Sequence, residues 1–371
     1  MSRVLVLNCG SSSVKWRHYD GDRVLDHGTV ERVGEPGGGP ADHASAVRQI
    51  LAEQDLTGLA AVGHRVVHGG RTFSAPVLVD DAVLAAIKDL VPLAPLHNPA
   101  NLAGIEVARA ALPDVPQVAV FDTAFHHTLP EAAATYAIDR DTAERYDIRR
   151  YGFHGTSHAY VSRRTAELLG RPYDQVNTIT LHLGNGASAC AVANGRSVAT
   201  SMGMSPLQGL VMGTRSGDLD PTVIFHLRRE AGLSVDEIDD LLNHRSGLLG
   251  LTGANDMREV LARRAAGDRA AALAFDVYCR RITEYVGAYY ALLGHVDAIA
   301  FTAGVGEHAA PVRAAALAGL DRLGIAVDDA RNDGTGDRVI SPDGAEVSVC
   351  VIRTDEEREI ARQTRDVVAR H

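Results

Sequence analysis

Short apolar runs that end in glycine-rich turns alternate along the chain with longer stretches of helical periodicity. In the first half, residues 3–7 and 14–19 are predicted to form a hairpin about a Gly-Ser turn, with a third strand at 22–30. The other elements predicted for this half are helices at 43–53, 80–90 and 98–111 and strands at 59–67 and 117–121.

The second half begins in the same manner. The run NTITLHLGNGASACAV, from Asn177, again predicts a strand, a glycine turn and a strand, and VDAIAFTAGVGEH, from Val296, predicts a strand that leads into a glycine loop. The other predicted elements are helices at 221–226, 235–243, 256–265, 270–293, 311–319 and 356–369 and a strand at 347–352. Two α/β halves that both open on a hairpin indicate an internal duplication, with a ligand-binding cleft between the halves.

Composition narrows the class of protein. A length of 371 residues with 46% apolar residues fits two domains, with a boundary near 149–155. The net charge of −10 argues against nucleic-acid binding and against a polybasic membrane contact, so an anionic ligand would need local cationic pockets. No apolar run approaches a membrane span, and the four cysteines stand singly. We therefore expect reduced thiols in a cytoplasmic protein.

Two polar turns are candidates for phosphate binding. The first, at residues 8–13, places consecutive backbone N–H groups and three serine hydroxyls just before Lys15, and this combination can bind phosphate. An ordinary polar hairpin explains this turn about equally well. The second turn, at 184–188, favours phosphate, because two similar turns could grip a polyphosphate from both halves. The chain contains no P-loop motif.

The segment AGVGEHAAP, residues 303–311, allows two interpretations. Gly304, Gly306 and Ala309 fit the G-x-G-x-x-A pattern of dinucleotide-binding enzymes, with Asp328 at about the distance of a ribose-binding acid. However, the pattern is weak alone, and here it closes the second half instead of opening a βαβ domain. A glycine loop before a helix suits the polar groups of any nucleotide.

Several polar residues stand among glycines or at strand ends. His64 and His68, and likewise His154 and His158, have i, i+4 spacing, which fits hydrogen bonds to an anion better than zinc because no third ligand accompanies them. Asp122 ends a predicted strand, a frequent position for catalytic acids, although a turn or helix-capping aspartate fits equally. Two arginines lie in glycine-rich surroundings that permit close approach to a small anion, although a structural ion pair is the alternative for each: Arg65 and Arg215.

Taken together, the motifs resemble those of the acetate kinase family. NCGSSSVK, GHRVVHGG, LAPLHNP, FDTAFH, YGFHGTSH, HLGNG, MGTRSGDLDP and FTAGVGE follow in the family's order from Val4 to about Glu356. The resemblance implies an α/β protein with a duplicated βββαβαβα unit, the actin/hexokinase/Hsp70-like (ribonuclease H-like) two-domain fold with an interdomain cleft. We expect an N-terminal domain at 1–149, joined by the C-terminal helix 357–371, and a C-terminal nucleotide-binding domain at 150–356.

The resemblance also implies an activity: reversible phosphoryl transfer from ATP to acetate, giving acetyl phosphate and ADP, with Mg²⁺ (or Mn²⁺), by a homodimer. The positions that match catalytic residues are Asp122, Arg65, Arg215 and His154, the last two as stabilisers of the transition state. The positions that match the acetate site are Arg65, Val67, Leu96, Phe153 and Pro206, with His97 nearby. The positions that match the ATP site are Ser11, Ser13, Lys15, His182, Leu183, Gly184, Asn185, Gly186, Asp256, Met257, Arg258, Gly304, Val305 and Gly306. Asn8 and Glu356 match the magnesium site.

The chain departs from the family pattern at three positions. His308 and Asp355 stand where asparagine is usual, and Met257 stands where phenylalanine often contacts the nucleoside. These departures bear on nucleotide affinity and base choice more than on the chemistry. Three alternatives stay open: a propionate or butyrate kinase of the same family, a non-catalytic actin-like ATP-binding protein, and, from the glycine pattern alone, a dehydrogenase.

Overall fold

The computed structural model describes residues 3–10, 12–35, 38–95 and 97–371. The strands are β1 (Arg3–Cys9), β2 (Ser13–Asp20), β3 (Arg23–Glu31), β4 (Leu59–Val66), β5 (Val77–Leu78), β6 (Gln117–Phe121), β7 (Asn177–Leu183), β8 (Ala187–Ala193), β9 (Arg196–Thr200), β10 (Ala298–Thr302), β11 (Arg338–Val339) and β12 (Ser348–Val351). The helices are α1 (His43–Glu53), α2 (Asp81–Asp89), α3 (Asn98–Ala111), α4 (Glu131–Ala134), α5 (Arg140–Arg145), α6 (Gly155–Leu168), α7 (Thr222–Glu230), α8 (Val235–His244), α9 (Gly247–Thr252), α10 (Met257–Ala265), α11 (Arg269–Leu293), α12 (Ala303–His308), α13 (Ala310–Leu317), α14 (Asp329–Asn332) and α15 (Glu356–Val368). Single 3₁₀ turns lie at Val91–Leu93, Ala124–Thr128, Tyr173–Gln175 and Asp321–Leu323.

The chain forms two compact units. The first consists of Met1–His127, Gly155–Ser157 and Asp355–His371, so that it includes α15 from the C-terminal end of the chain. The second consists of Thr128–His154 and His158–Thr354. None of the helices in the described part of the chain has the length and apolar character that a membrane span requires. The four cysteines are buried and carry free thiols, as predicted.

The first unit is built on a mixed sheet in the order β3-β2-β1-β4-β6-β5. β2 runs antiparallel to β1 and β3, whereas β1, β4 and β6 are parallel neighbours and β5 is antiparallel to β6. The run Val4–Leu7 is buried on both faces, which explains its unbroken apolar character. Val4 and Val6 pack with residues of α15, and Leu5 and Leu7 pack with residues of α1 on the other face.

The second unit repeats this arrangement. Its sheet has the order β9-β8-β7-β10-β12-β11, and each strand pairs with its neighbours in the same direction as the corresponding strand of the first sheet. The correspondence extends to the short antiparallel edge strand, β5 in one sheet and β11 in the other. The predicted internal duplication and the α/β fold are therefore confirmed.

Some predicted bounds need correction. The glycine loop predicted after β10 is wrong, because residues 303–308 form the short helix α12. Ala303, a non-glycine residue, adopts a left-handed φ of 64° and turns the chain directly from the strand into this helix. The helix α6 was not predicted, because its first turn, Gly-Thr-Ser-His, has weak helix propensity.

Gly63 of β4 generates a prediction about stability, because α15 packs directly on it. A Cβ atom at Gly63 would overlap Oγ1 of Thr364 and lie 3.0 Å from Cγ2 of Ile360. We expect Gly63→Ala to lower the free energy of unfolding by about 1–3 kcal/mol. Gly287 is the matched control, since it lies inside α11 and a Cβ atom there would meet no neighbour within 4 Å. Gly287→Ala should stabilise the protein by about 1 kcal/mol. Urea denaturation of both variants tests this, and equal midpoints would contradict the packing argument.

Candidate active site

Three polar side chains meet at one edge of the first sheet. Asn8 lies near the end of β1, Arg65 near the end of β4, and Asp122 directly after β6. These strands are parallel neighbours, so their carboxyl ends share one edge of the sheet, where ligands usually bind in α/β proteins. Glu356, the first residue of α15, joins them. Four residues that are far apart in sequence thus form one cluster.

Arg65 is the centre of this cluster. Its Nε donates to both carboxylate oxygens of Asp122 at 3.0 Å, and its Nη2 donates to Oδ2 of Asp122 at 2.5 Å. Its Nη1 donates to Oδ1 of Asn8 at 3.1 Å, and its Nε lies 3.8 Å from Oε2 of Glu356. Asp122 therefore binds the guanidinium side-on, which fixes the plane of Arg65. The carboxylate of Asp122 thus pairs with an arginine instead of capping a turn or a helix.

Burial makes the charges in this cluster strongly interdependent. Burial alone would lower the pKa of Arg65, but the negative charges of Asp122 and Glu356 outweigh it and raise that pKa above its ordinary value. For Glu356, burial and the neighbouring charges of Asp122 and Glu357 raise the pKa to about 7, against the opposing effect of Arg65. Burial is the largest of these effects, and a further cation beside Glu356 would favour its ionised form.

Thr156 is a member of this cluster that sequence reasoning missed. Its hydroxyl lies 3.2 Å from Oδ1 of Asp122 and 3.3 Å from Oε2 of Glu356, so it can donate to either carboxylate. Gly155, just before it, donates its N–H to the carbonyl of Asp122, and a Cβ atom at Gly155 would overlap that carbonyl oxygen. The glycine in the motif GTSH was the only available signal, because it marks a close backbone approach.

The departure at Asp355 has a local explanation. Its side chain caps α15 by accepting from the N–H of Arg358 at 3.0 Å, a role that aspartate and asparagine perform equally well. The additional negative charge is compensated by Arg17, whose Nη1 donates to Oδ1 of Asp355 at 2.7 Å. Asparagine at this position would cap α15 without this ion pair.

The second unit contributes the glycine turn between β7 and β8. The N–H of Gly184 donates to the carbonyl of Gly186 at 3.0 Å, and the carbonyl of Asn185 accepts from the N–H of Gly213 at 2.9 Å. A Cβ atom at Gly186 would lie 3.4 Å from Nε2 of His154 and 3.5 Å from Nη1 of Arg215. Glycine at position 186 therefore allows His154 and Arg215 to lie close to the backbone of the turn.

Arg215 is a partly buried cation beside this turn. Its Nη1 donates to the carbonyl of Pro206 at 3.1 Å and lies 3.6 Å from the sulfur of Met212. Among the described residues, no acidic side chain forms an ion pair with Arg215, and burial lowers its pKa. A partly buried guanidinium without a carboxylate is an unfavourable arrangement unless an anion binds to it. Arg215 thus differs from Arg65, whose charge is already paired.

The histidines of YGFHGTSH form a hydrogen-bonded relay. Oγ of Ser188 lies 2.8 Å from Nδ1 of His154 and 2.7 Å from Nε2 of His158, whose Nδ1 lies 2.7 Å from Oγ1 of Thr180. A serine hydroxyl carries one proton, so it can donate to at most one of the two imidazoles, and at least one ring must donate an N–H to Ser188. The ring of His154 also stacks on that of His182, with centroids 4.2 Å apart.

A cavity of about 460 Å³ adjoins the glycine turn within the second unit. The residues that line it are Gly184, Asn185, Asn255, Asp256, Met257, Arg258, Leu261, Gly304, Val305, His308 and Ala309. Sequence reasoning did not assign Asn255 and Leu261 to the site. Leu261 follows Met257 by four residues on α10, and this spacing was the available signal. The size and largely apolar walls suit a nucleoside.

Other predicted residues lie outside this cavity. Gly306 faces the sheet, since a Cβ atom there would lie 3.6 Å from the carbonyl of Leu181, and Leu183 is buried in β7. By contrast, Asp256 lines the cavity, where it caps α10 and forms an ion pair with Arg258, another lining residue. Ser11 and Leu96 lie outside the described residues. The remaining predicted residues are placed as follows: in the first unit Ser13, Lys15, Val67 and His97, and in the second unit Phe153 and Pro206.

His64, His154 and His158, which could have formed a zinc site, hydrogen-bond other side chains. His64 is buried and its Nε2 hydrogen-bonds Oε1 of Gln117 at 2.8 Å, and burial lowers its pKa to about 4. Across the described ranges, no group of three or more histidine, cysteine, aspartate or glutamate side chains is arranged to hold a metal ion. A cation in the Arg65 cluster would thus have few protein ligands.

Comparison with known proteins places the chain in a family. The sequence profile of the Acetokinase family matches residues 38–362. An acetate kinase from Streptomyces avermitilis is 59% identical over 98% of this chain and 96% of its own length. Among solved structures, an acetate kinase from Porphyromonas gingivalis has 43% identity and a TM-score of 0.94, covering 99% of this chain and 100% of that one. A propionate kinase from Francisella tularensis has 40% identity and a TM-score of 0.93 over 99% of this chain and 100% of that one.

These matches extend over almost the whole chain, and they agree with the duplicated fold. The class is that of phosphoryl-transfer enzymes. Within that class, the chain belongs to the acetokinase family.

Proposed function

We propose that this protein is an acetate kinase that transfers a phosphoryl group reversibly between ATP and acetate. Its relatives at 54–61% identity over nearly the full chain are acetate kinases, whereas the similar propionate kinase has 40% identity. The main structural support is that Arg215 forms no ion pair with an acidic side chain of the described residues. A partly buried guanidinium without a carboxylate, next to a glycine turn and a nucleoside-sized cavity, suits the phosphates of ATP.

The reaction presents one physical difficulty, which is charge. Acetate is ionised at neutral pH and needs no general base, but it must approach a phosphoryl group that is also negative. A carboxylate oxygen of acetate forms a bond to the γ-phosphorus while the bond from phosphorus to the bridging oxygen breaks and its electrons leave with ADP. No proton is transferred, so catalysis depends on positioning and on neutralising charge.

The proposed roles follow from this requirement. Arg215 and His154 hydrogen-bond the equatorial oxygens of the phosphoryl group, and Ser188 orients the ring of His154. Arg65 binds the acetate carboxylate, and Asp122 holds the guanidinium in the necessary plane. The nucleoside occupies the cavity lined by Met257 and Val305.

Magnesium fits the Arg65 cluster. The available donors, an amide oxygen of Asn8 and the carboxylate of Glu356, are hard oxygen ligands, and a proton near neutral pH already competes for Glu356. Few protein ligands suffice, because Mg²⁺ usually keeps several waters and binds substrate phosphates. When bound, Mg²⁺ would supply positive charge to the polyphosphate. Asn8 and Glu356 would hold it.

The activity is tested by trapping acyl phosphate with hydroxylamine. Purified protein with ATP and MgCl₂ is expected to yield acetyl hydroxamate from acetate, with a lower kcat/KM for propionate and butyrate. Formation of no hydroxamate from any of the three acids would contradict the proposal. A higher kcat/KM for propionate would instead identify a propionate kinase.

Val67 is proposed to limit the length of the acid, and Val67→Ala tests this role. The substitution removes two methyl groups, and one methylene is worth about 1–3 kcal/mol in a hydrophobic pocket. We expect the ratio of kcat/KM for propionate to that for acetate to rise about tenfold. Val235→Ala is the control, because Val235 is 75% exposed on α8. An unchanged ratio would remove Val67 from the acyl site.

The two arginines are tested by truncation. Arg65→Ala and Arg215→Ala should each reduce kcat by about 10²–10³-fold, since each removes a preorganised donor from the reacting anions. Arg140→Ala is the matched control, because Arg140 is exposed and forms an i, i+4 ion pair with Glu144 on its own helix. Near-normal kcat in both site variants would show that charge neutralisation resides elsewhere.

We also propose that the protein is a homodimer that buries α7. None of the nine residues of this helix is buried, and the consecutive Val223, Ile224 and Phe225 are 40%, 38% and 56% exposed. So short a helix is marginal without packing. Its last turn carries Arg228 and Arg229, and the adjacent α8 carries exposed acidic residues, so a second copy can supply the opposite charges in a two-fold interface.

Sedimentation velocity tests the dimer. Phe225→Glu should convert the dimer to monomer, because a charge cannot be buried in that interface without a partner. Ile138→Glu is the control, since Ile138 is 49% exposed elsewhere in the second unit. A monomeric wild-type protein, or a Phe225→Glu variant that stays dimeric, would contradict the assignment of α7.

A further inference from the structure

Glu307, on the short helix α12, connects two backbone segments. Its Oε1 accepts a hydrogen bond from the N–H of Ala303 and another from the N–H of Thr354, both at 3.0 Å. All three residues belong to the second unit. A single carboxylate oxygen therefore fixes the start of α12 and the residue that ends the second unit.

The first of these contacts replaces a missing helix cap. Thr302 occupies the N-cap position of α12, but its side chain makes no capping hydrogen bond, and its buried Oγ1 has no partner among the described residues. The next residue, Ala303, has the left-handed φ of 64° that non-glycine residues rarely adopt. Glu307 reaches back along its own helix to hold this residue. Because Gly304 and Val305 follow, the same contact sets the wall of the cavity.

The second contact fixes the backbone at Thr354, the last residue of the second unit. Thr354 is followed directly by Asp355, the N-cap of α15, and then by Glu356 of the Arg65 cluster. Arg313 reinforces the arrangement at the other end of α12. It is fully buried and donates to the carbonyls of Gly306 and Glu307 at 2.9 and 3.0 Å. α12 is thus held at both ends by side chains.

We propose that Glu307 is a positioning residue for nucleotide binding at the cavity, because it fixes the backbone of the second unit at Ala303 and at Thr354. The proposal rests on the function given above. Glu307 acts through backbone N–H groups and touches no reacting atom. An oxygen acceptor is what this role requires, and the negative charge of the carboxylate is secondary.

Substitution of Glu307 separates the acceptor from the charge. Glu307→Ala should raise the KM for ATP about tenfold and weaken ADP binding in calorimetry to the same extent, with the KM for acetate unchanged. Amide hydrogen exchange at Ala303 and Thr354, followed by NMR, should accelerate in this variant. Glu307→Gln keeps an oxygen acceptor, so its ATP and ADP values should stay within about threefold of wild type. Glu106→Ala, at an exposed position of α3, is the control for loss of a carboxylate.

The outcomes decide between explanations. Unchanged ADP affinity in Glu307→Ala would overturn the proposal, and so would Glu307→Gln that is as defective as Glu307→Ala, which would point to a charge effect. If Glu307→Ala does not fold, the test rests on Glu307→Gln. A tenfold loss of ADP affinity in Glu307→Gln would then overturn the proposal. A wild-type protein without acetate kinase activity would refute the proposed function, while ADP binding and amide exchange would still test Glu307.

Discussion

The placement of guanidinium groups among anions is the constraint on which the proposed site depends. The protein has a net charge of −10 and must, in the proposed reaction, bring two further anions together. Overall charge opposes this, so the favourable potential has to be local and protected from water. The structure provides it at Arg215, beside a glycine turn of the second unit, because no acidic side chain in the described part of the chain pairs with that guanidinium. Arg65, near the end of a parallel strand of the first unit, is already paired with Asp122.

The backbone explains why these arginines can approach their ligands. Parallel strands in the order β1-β4-β6 bring Asn8, Arg65 and Asp122 to one edge, although 57 residues separate the last two. Glycines then clear the space around polar groups: Gly155 against the carbonyl of Asp122, and Gly186 against His154 and Arg215. The order of the strands therefore brings the polar residues together, and the glycines leave room around them.

The sequence predicted those parts of the fold that local patterns determine. The bounds of α1, α3 and β6 agree with prediction, since periodicity and local end signals define them, such as the Asp42 cap of α1 and the proline in the first turn of α3. α12 could not be predicted, because its Gly-Val-Gly run has low helix propensity and side-chain hydrogen bonds from Glu307, within α12, and from Arg313 hold its backbone. Arg65 and Asp122 were predicted separately, but their pairing depends on strand order. Thr156 was missed because only the folded chain brings its hydroxyl to Asp122.

Arg65 and Arg215 lie in opposite electrostatic surroundings in the two units. We therefore expect ligands of opposite charge at the two positions. In the first unit, Arg65 pairs with Asp122 and lies near Glu356, so negative charge is in excess, and burial together with the charges of Asp122 and Glu357 raises the pKa of Glu356. In the second unit, Arg215 has backbone oxygen and a thioether for neighbours, so positive charge is in excess. A cation is favoured at the first cluster and a polyanion at the second. The same fold, used twice, therefore carries opposite electrostatics at its two clusters.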